Sequence, residues 1–129
     1  MAYTWSFSKK FAQEFSRYPD DQQEKILDFV TLFESQGLIN FSSYEGKIAR
    51  TANCLDPSDP VHVFATKHSL WHYHIGLPTY VSYHGKYKTS DWVLHFKWPN
   101  MKNSIVLVDV YCHYDTSGKF YIPPDSYMD

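Results

Sequence analysis

The stretch LWHYHIG, residues 70–76, sets the frame for the fold because large apolar side chains and histidines alternate along it. Its tryptophan, tyrosine and isoleucine share one face of an extended strand, whereas His72 and His74 share the other. A strand of this kind predicts one face packed on a hydrophobic core and a second face that carries imidazoles.

Two later stretches repeat the alternation: DWVLHFKW, residues 91–98, and IVLVDVYCHY, residues 105–114. Strict alternation puts four residues of the last strand on the apolar face, namely Val106, Val108, Val110 and Cys112. It puts the remaining residues on the other face, namely Ile105, Leu107, Asp109, Tyr111 and His113. The stretch TYVSYHG, residues 79–85, is expected to pair with residues 70–76. These strands predict a curved antiparallel sheet with an open face of titratable side chains.

The N-terminal part predicts a strand followed by two helices. Aromatic residues alternate in YTWSF, residues 3–7, as in a half-buried strand. Ser8 is expected to cap a short helix, Pro19 to sit in the first turn of a longer one, and Gly37 to end it. The fold class is therefore α+β, with an N-terminal strand and a helical hairpin packed on one face of a twisted antiparallel β-sheet.

Two segments lack a regular pattern. Residues 38–67 show no clear period, and DPSDP, residues 56–60, predicts a turn or exposed loop because its prolines block regular structure. Residues 115–129 predict an irregular tail that either folds back on the sheet or serves as a docking strip for a partner. The whole chain, residues 1–129, is interpreted as one domain.

Charge is distributed unevenly along the chain of 129 residues, which has a net charge of −2. Residues 46–102 contain seven basic and three acidic side chains, a balance of +4, and the flanking segments are each at −3. The total excludes a broadly basic nucleic-acid wrapper, but the middle segment is consistent with a local anion-binding surface. The candidate RNA-binding residues there are Arg50, Lys67, Lys86 and Lys88. The alternative is that these charges only solvate the surface.

Other features narrow the class of protein. The two cysteines show no paired metal-binding spacing, and no apolar run is long enough for a membrane span or a secretory signal. We therefore expect a cytoplasmic protein that needs no cofactor and does not interact with a membrane.

The open face has the side chains for acid–base chemistry near neutral pH, because imidazoles titrate there and a lysine can stabilise an anionic transition state. This set fits metal-independent cleavage of RNA, in which a base activates the ribose 2′-OH and aromatic rings stack on the bases. The candidate catalytic residues are His72, His74, His95, His113, Lys97 and Tyr111. Two alternatives remain open: these are ordinary surface side chains, or several of the histidines form a zinc site with Asp109 nearby.

The order strand, helical hairpin, loop and antiparallel strands resembles the RelE/ParE superfamily of bacterial toxins from toxin–antitoxin pairs. KHSLWHYHIG, residues 67–76, is similar to the Trp-x-x-Arg-Ile element of that family, with His74 at the arginine position. VLVDVYCHY, residues 106–114, resembles the closing strand of the YoeB-like branch, in which His113 and Tyr114 match a His-Tyr pair. KTSDWVLHF, residues 88–96, is similar to a segment of the YafO branch.

The resemblance implies a cytoplasmic endoribonuclease that cleaves mRNA, on the ribosome, and is neutralised by a cognate antitoxin protein. His113 would be the acid or base, and Lys97, Lys67 or Arg50 would supply the cation if His74 does not act protonated. One alternative is a ParE-type toxin that inhibits DNA gyrase through protein contacts without catalysis. Another is a non-catalytic or metal-binding interaction module.

Overall fold

The chain folds around one mixed sheet flanked by helices on both sides. The computed structural model describes residues 3–38, 40–54, 56–77, 81–83, 87–90, 92–112 and 121–128. Within these ranges, five strands form one sheet in the order β1-β7-β6-β3-β2. The strands are β1 Thr4–Phe7, β2 Ile48–Arg50, β3 Leu70–His74, β4 Val81–Tyr83, β5 Tyr87–Thr89, β6 Trp92–Lys97 and β7 Ser104–Cys112. The helices are α1 Lys9–Phe15, α2 Asp20–Gln36 and α3 Pro60–Lys67.

The pairing of the strands confirms the predicted fold class. β1 runs parallel to β7, and the other neighbours in the sheet are antiparallel. β6 and β7 form a hairpin through a turn in which Asn100 and Met101 both have positive φ, 55° and 51°. Backbone of this hand matches the twist of the flanking strands. This turn thus joins two of the strands that the sequence predicts as an antiparallel hairpin.

The two N-terminal helices begin and end where the sequence predicts. The Ser8 hydroxyl accepts a hydrogen bond from the backbone N–H of Phe11 at 3.4 Å, which caps α1. Pro19 occupies the N-cap position of α2, one residue earlier than expected. Gly37 ends α2 at a φ of +64°, and the ring of Tyr3 lies where a Cβ would project. A glycine is needed at this position for both reasons.

Both helices pack on one side of the sheet, which we call the helix side. Its core is strongly aromatic: the Phe29 ring stacks on Tyr73 with centroids 4.8 Å apart and lies 5.5 Å from Phe96. Sheet residues Leu94 and Leu107 are fully buried in the same core. The alternation predicted for β3 and β6 is thus confirmed on this side, because Tyr73, Leu94 and Phe96 share it.

The alternation predicted for β7 is wrong at its centre. His95 pairs with Asp109, but the next residue, Phe96, pairs with Leu107, so Val108 is an extra residue in a β-bulge. The bulge shifts the phase of the strand by one residue. As a result, Ile105 and Leu107 lie in the helix-side core, and Val106 and Val108 lie on the opposite side.

Residues 56–67 depart from the predicted loop. Asp59 caps α3 by accepting a hydrogen bond from the backbone N–H of Val61 at 2.9 Å. Pro60 stands in the first turn of the helix, where its missing N–H has no partner to lose. The proline that was expected to block regular structure therefore begins a helix.

The pairing predicted for residues 79–85 is also wrong. β4 pairs with β5 in a separate two-stranded ladder rather than with β3. The partner of β3 on its outer edge is β2, a three-residue strand that the sequence pattern did not reveal. No helix in the described ranges is long and apolar enough to cross a membrane.

Candidate functional site

Three of the predicted catalytic histidines lie together on the side of the sheet opposite the helix-side core, which we call the histidine side. His72 pairs directly with His95 across β3 and β6. The ring centroid of His72 is 5.7 Å from that of His74 and 6.1 Å from that of His95. Alternation in these two strands therefore predicted the grouping correctly.

The histidine side is covered rather than open, so that part of the prediction is wrong. His72, His74 and His95 are only 1%, 5% and 0% exposed. A small second cluster of buried apolar residues packs over this side, consisting of Ala52, Ala65, Leu70, Val108 and Met128. These residues come from β3, β7, α3, the turn before α3 and the C-terminal segment. Three of these regions, the turn before α3, α3 and the C-terminal segment, show no regular period in the sequence, so periodicity alone does not place them over the histidines.

The C-terminal segment, residues 121–128, contributes Met128 and Ile122 to this cover, and we call it the C-terminal strap. The ring of Tyr121 lies 5.7 Å from that of His95 and 4.3 Å from that of Tyr111. Of the two alternatives for the tail, the part of it that the structure describes folds back on the sheet. The remaining residues between β7 and the strap are not described.

The buried imidazoles are fixed by polar partners. His72 Nδ1 lies 3.1 Å from the Thr51 hydroxyl. His74 Nδ1 lies 2.9 Å from the carbonyl oxygen of Ser90 and 3.0 Å from its backbone nitrogen. Burial lowers the pKa of His74, the hydrogen bond to Ser90 opposes that change, and the positive charge of Lys47 lowers the pKa further. His74 is therefore neutral at pH 7.

Asp109 adds a carboxyl group beside the histidines. It is 5% exposed and pairs with His95 in the sheet register. Burial raises its pKa to about 6, while hydrogen bonds from the Tyr121 hydroxyl and the Val110 backbone N–H act in the opposite direction. A carboxyl group that titrates near neutral pH can accept or donate a proton, as acid–base catalysis requires.

One edge of the histidine side carries exposed side chains. Tyr111 is 38% exposed and lies in the same row as His74, with Val93 between them. Lys47 is exposed, and its carbonyl oxygen accepts a hydrogen bond from the His74 backbone N–H at 3.0 Å. We call His74, Lys47 and Tyr111 the lip of the histidine side.

Other predicted residues lie elsewhere. The Lys97 ammonium is on the histidine side but donates a hydrogen bond to the Met128 carbonyl oxygen of the strap. Arg50 pairs with Trp71 and so belongs to the helix side, at the edge strand. Lys67 is exposed in the last turn of α3. The structure therefore does not bring these three cations to His74.

The structure does not describe the side chains of three further predicted residues. His113 and Lys86 are not among the described residues, and Lys88 is described only as part of β5. Their predicted roles stay predictions. Within the described ranges, no group of three or more His, Cys, Asp or Glu residues is arranged to hold a metal ion.

Sequence reasoning missed the partners of the histidines: Lys47, Thr51 and Ser90. Lys47 and Thr51 flank a strand of three residues inside the stretch without periodicity. Ser90 precedes β6, and its side-chain hydroxyl donates a hydrogen bond to the Trp92 carbonyl oxygen at 2.8 Å. A lysine next to a three-residue strand does not by itself indicate a functional site. Only the register of β2 against β3 places Lys47 beside His74.

Comparison with known proteins supports the fold. No protein-family model and no curated protein match the sequence. The archaeal RelE–RelB complex from Pyrococcus horikoshii OT3 is similar in structure, with a TM-score of 0.50 at 10% identity over 87% of this chain and 96% of that chain. A mutant of the E. coli toxin RelE in the free state gives a TM-score of 0.43 at 9% identity over 91% and 90% of the two chains. The chain has a RelE-like fold.

Proposed function

We propose that the protein is the toxin of a toxin–antitoxin pair, an endoribonuclease that cleaves mRNA on the ribosome without a metal ion. The RelE-like fold is the observation that carries the proposal, through the similarity to a RelE protein crystallised with RelB over most of both chains. The partner that neutralises the toxin would be a cognate antitoxin, and the site of action would be the cytoplasm. Within this fold, the YoeB-like and YafO-like sequence elements favour those branches.

The lip is the part of the histidine side that RNA reaches first. His74 occupies the position of the family arginine in the resembling motif, and its lowered pKa favours the neutral imidazole, which is the form that accepts a proton from a ribose 2′-OH. Lys47 supplies the positive charge that a phosphate in the transition state needs. The exposed ring of Tyr111 offers a surface on which a base stacks.

The other candidates take supporting roles in this proposal. His72, His95 and Asp109 are buried behind the lip and provide proton-accepting groups when they become accessible. His113 remains the proposed acid or base of the closing strand. The proposed contacts to the RNA backbone, away from the reacting phosphate, come from Arg50, Lys67, Lys86 and Lys88. Lys97 is proposed to stabilise the reacting phosphate after its ammonium group is released from the strap.

The experiment measures RNA cleavage by primer extension and growth arrest on induction, for wild type, Lys47→Ala, His74→Ala and Tyr111→Ala. Loss of one charged or proton-transferring group is expected to reduce cleavage by about 10²-fold, and loss of the stacking ring by about tenfold. Lys102→Ala is the matched control for Lys47→Ala, because Lys102 is an exposed lysine at the opposite end of the β6–β7 hairpin. Equal cleavage by wild type and all three lip variants would contradict this assignment.

Burial of the histidines also favours a second candidate, a gyrase-directed toxin of the ParE type. Such a toxin acts through protein contacts and needs no accessible acid–base pair, which matches the 1% and 0% exposure of His72 and His95. In that case induction causes DNA damage and inhibits gyrase supercoiling in vitro, with intact mRNA. A non-catalytic module is distinguished from both toxins by normal growth on induction.

A further inference from the structure

The C-terminal strap is attached by hydrogen bonds to three separate elements, in addition to the ring contacts of Tyr121 and the apolar contacts of Met128. The Asp125 carboxylate also lies 3.7 Å from His68 Nε2. The Tyr121 hydroxyl donates to Asp109 on β7, and the Lys97 ammonium on β6 donates to the Met128 carbonyl oxygen. The Tyr127 hydroxyl donates to the Glu14 carboxylate on α1 at 2.7 Å. The partner residues lie on β6, β7 and α1, which also make sheet or core contacts that do not involve the strap.

The apolar contribution of the strap is confined to a small cluster. Met128 is 2% exposed and packs in the cluster with Ala52, Ala65, Leu70 and Val108, and Ile122 is partly buried beside them. The helix-side core contains no residue of the strap. Segments with few buried apolar contacts open at a lower free energy than the core. The strap can therefore detach while the sheet and α2 remain folded.

Detachment would change access to the histidine side. In the attached state Tyr121 lies against His95 and Tyr111, and its hydroxyl occupies one carboxylate oxygen of Asp109. Removal of the strap exposes His95 and Asp109 and frees the Lys97 ammonium at the same time. One movement therefore uncovers a base, an acid and a cation in neighbouring positions of one sheet face.

The geometry points to the strap as an autoinhibitory cover, whose attached form restricts RNA to the lip and whose detached form presents the whole histidine side. This inference rests on the proposed function for its consequence in RNA cleavage, but not for the movement itself. The segment that covers this surface is part of the same chain, residues 121–128.

The movement is tested by the reactivity of His95 toward diethyl pyrocarbonate, mapped by mass spectrometry in the full chain. The double variant Tyr121→Phe/Tyr127→Phe removes two hydroxyl–carboxylate hydrogen bonds and is expected to raise the modification rate of His95 about tenfold or more. Tyr44→Phe is the matched control, because its buried hydroxyl donates to the Gly37 carbonyl oxygen at 2.7 Å on the helix side. His62, which is partly exposed on α3, serves as an internal reference for reagent activity.

Equal His95 reactivity in the double variant and in the control would overturn the inference, as would wild-type His95 that reacts as fast as His62. If the double variant does not fold, Lys97→Met tests the same inference from the other end of the strap, with the same expected rise. A retained far-UV spectrum and thermal transition in the reactive variant show that the sheet remains folded.

RNA cleavage by the same proteins separates the two proposals. Raised His95 reactivity together with raised cleavage in the double variant supports both. Raised reactivity without cleavage by any protein supports a mobile strap, overturns its autoinhibitory role in RNA cleavage and contradicts the endoribonuclease function. Cleavage by wild type with unchanged reactivity in the double variant overturns the autoinhibitory strap and leaves the function standing.

Discussion

The two sides of the sheet are both buried, but by different means. On the helix side, aromatic and aliphatic side chains of α1, α2 and the strands fill one continuous core that includes Phe33 and Phe96, both 0% exposed. On the histidine side, the strands present imidazoles and a carboxyl group, which are covered by a small cluster and a strap held by hydrogen bonds. The core of the first side consists of aliphatic and aromatic side chains, and the second side combines polar groups with a small apolar cluster.

The difference shows how burial and availability can coexist in one small sheet. Apolar burial contributes stability in proportion to the area removed from water, so the helix side carries most of the folding free energy. A hydrogen bond between two protein groups contributes little net stability, because water replaces either partner in the unfolded state. A polar group that stays buried after losing its partner destabilises the protein. We therefore expect the histidine side to open at a lower free energy than the helix side.

The largest expected effect comes from truncating one core residue on each side. Phe96→Ala is expected to lower the free energy of unfolding by about 3–5 kcal/mol, because it leaves a large cavity beside Phe29. Met128→Ala is expected to lower it by only roughly 1–2 kcal/mol, because the loss cannot exceed the free energy that attaches the strap.

Urea denaturation measures the global free energy of unfolding, and native-state hydrogen exchange measures the free energy of local opening. Met128→Ala should speed exchange in the strap and α3 while β7 and α2 stay protected. Equal global losses for Phe96→Ala and Met128→Ala would show that the two sides form one cooperative unit and would remove the contrast between them.

The pH dependence of stability is the next largest effect and belongs to the histidine side. Asp109 has a pKa raised from 3.8 to about 6 in the folded protein, chiefly by burial. The folded state therefore holds its proton more tightly, and the Asp109 contribution to stability falls as pH rises from about 4 to about 6. The full difference is about 3 kcal/mol for a change of two pKa units.

Asp109→Asn isolates this contribution, since an asparagine oxygen still accepts the Tyr121 hydrogen bond but does not titrate. Relative to wild type, the variant is expected to gain stability at pH 7.5 and not at pH 4.5, as measured by urea denaturation. His74 acts in the opposite direction in wild type and variant alike, because a lowered histidine pKa loses stability as pH falls below its ordinary value of 6.5. An identical pH profile for both proteins would contradict the buried, proton-holding state of Asp109.

The smallest effects come from the two helix caps, one on each side. Ser8→Ala removes the cap of α1 and Asp59→Ala removes the cap of α3, each at a cost of about 1 kcal/mol. The first loss is expected in the global free energy of unfolding, and the second as faster hydrogen exchange in α3 alone. Ser35→Ala, at an exposed position of α2, is the control and changes neither quantity. Global destabilisation by Asp59→Ala would extend the cooperative unit to the histidine side.

Sequence patterns predicted the helix side well because periodicity is a direct consequence of one-sided burial. Local rules predict the strand at residues 3–7, the cap at Ser8 and the stop at Gly37. They also predict that His72 and His74 share one face of their strand. The same rules failed at Pro60, where the cap at Asp59 turned a helix breaker into a helix start. At the strap they left two alternatives open, folding back on the sheet or docking a partner, because long-range hydrogen bonds leave no period in the sequence.

The sequence therefore predicted which histidines lie together, but not what covers them. The grouping of His72, His74 and His95 followed from two strands of clear alternation. Their burial could not follow, since the cover consists of residues distant in sequence with no shared pattern. The cation at Lys47 depends on the register of a three-residue strand, which no single-chain pattern specifies.

The bulge in β7 has a consequence for changes in chain length. Deleting Val108 would leave Leu107 and Asp109 adjacent, so every remaining residue of the strand would keep its present side. Deleting Val110 instead would send Tyr111 toward the aromatic core and Cys112 toward the histidines. Position 108 is thus the point where this strand accommodates an insertion. The inserted Val108 is also one of the few apolar residues on the histidine side.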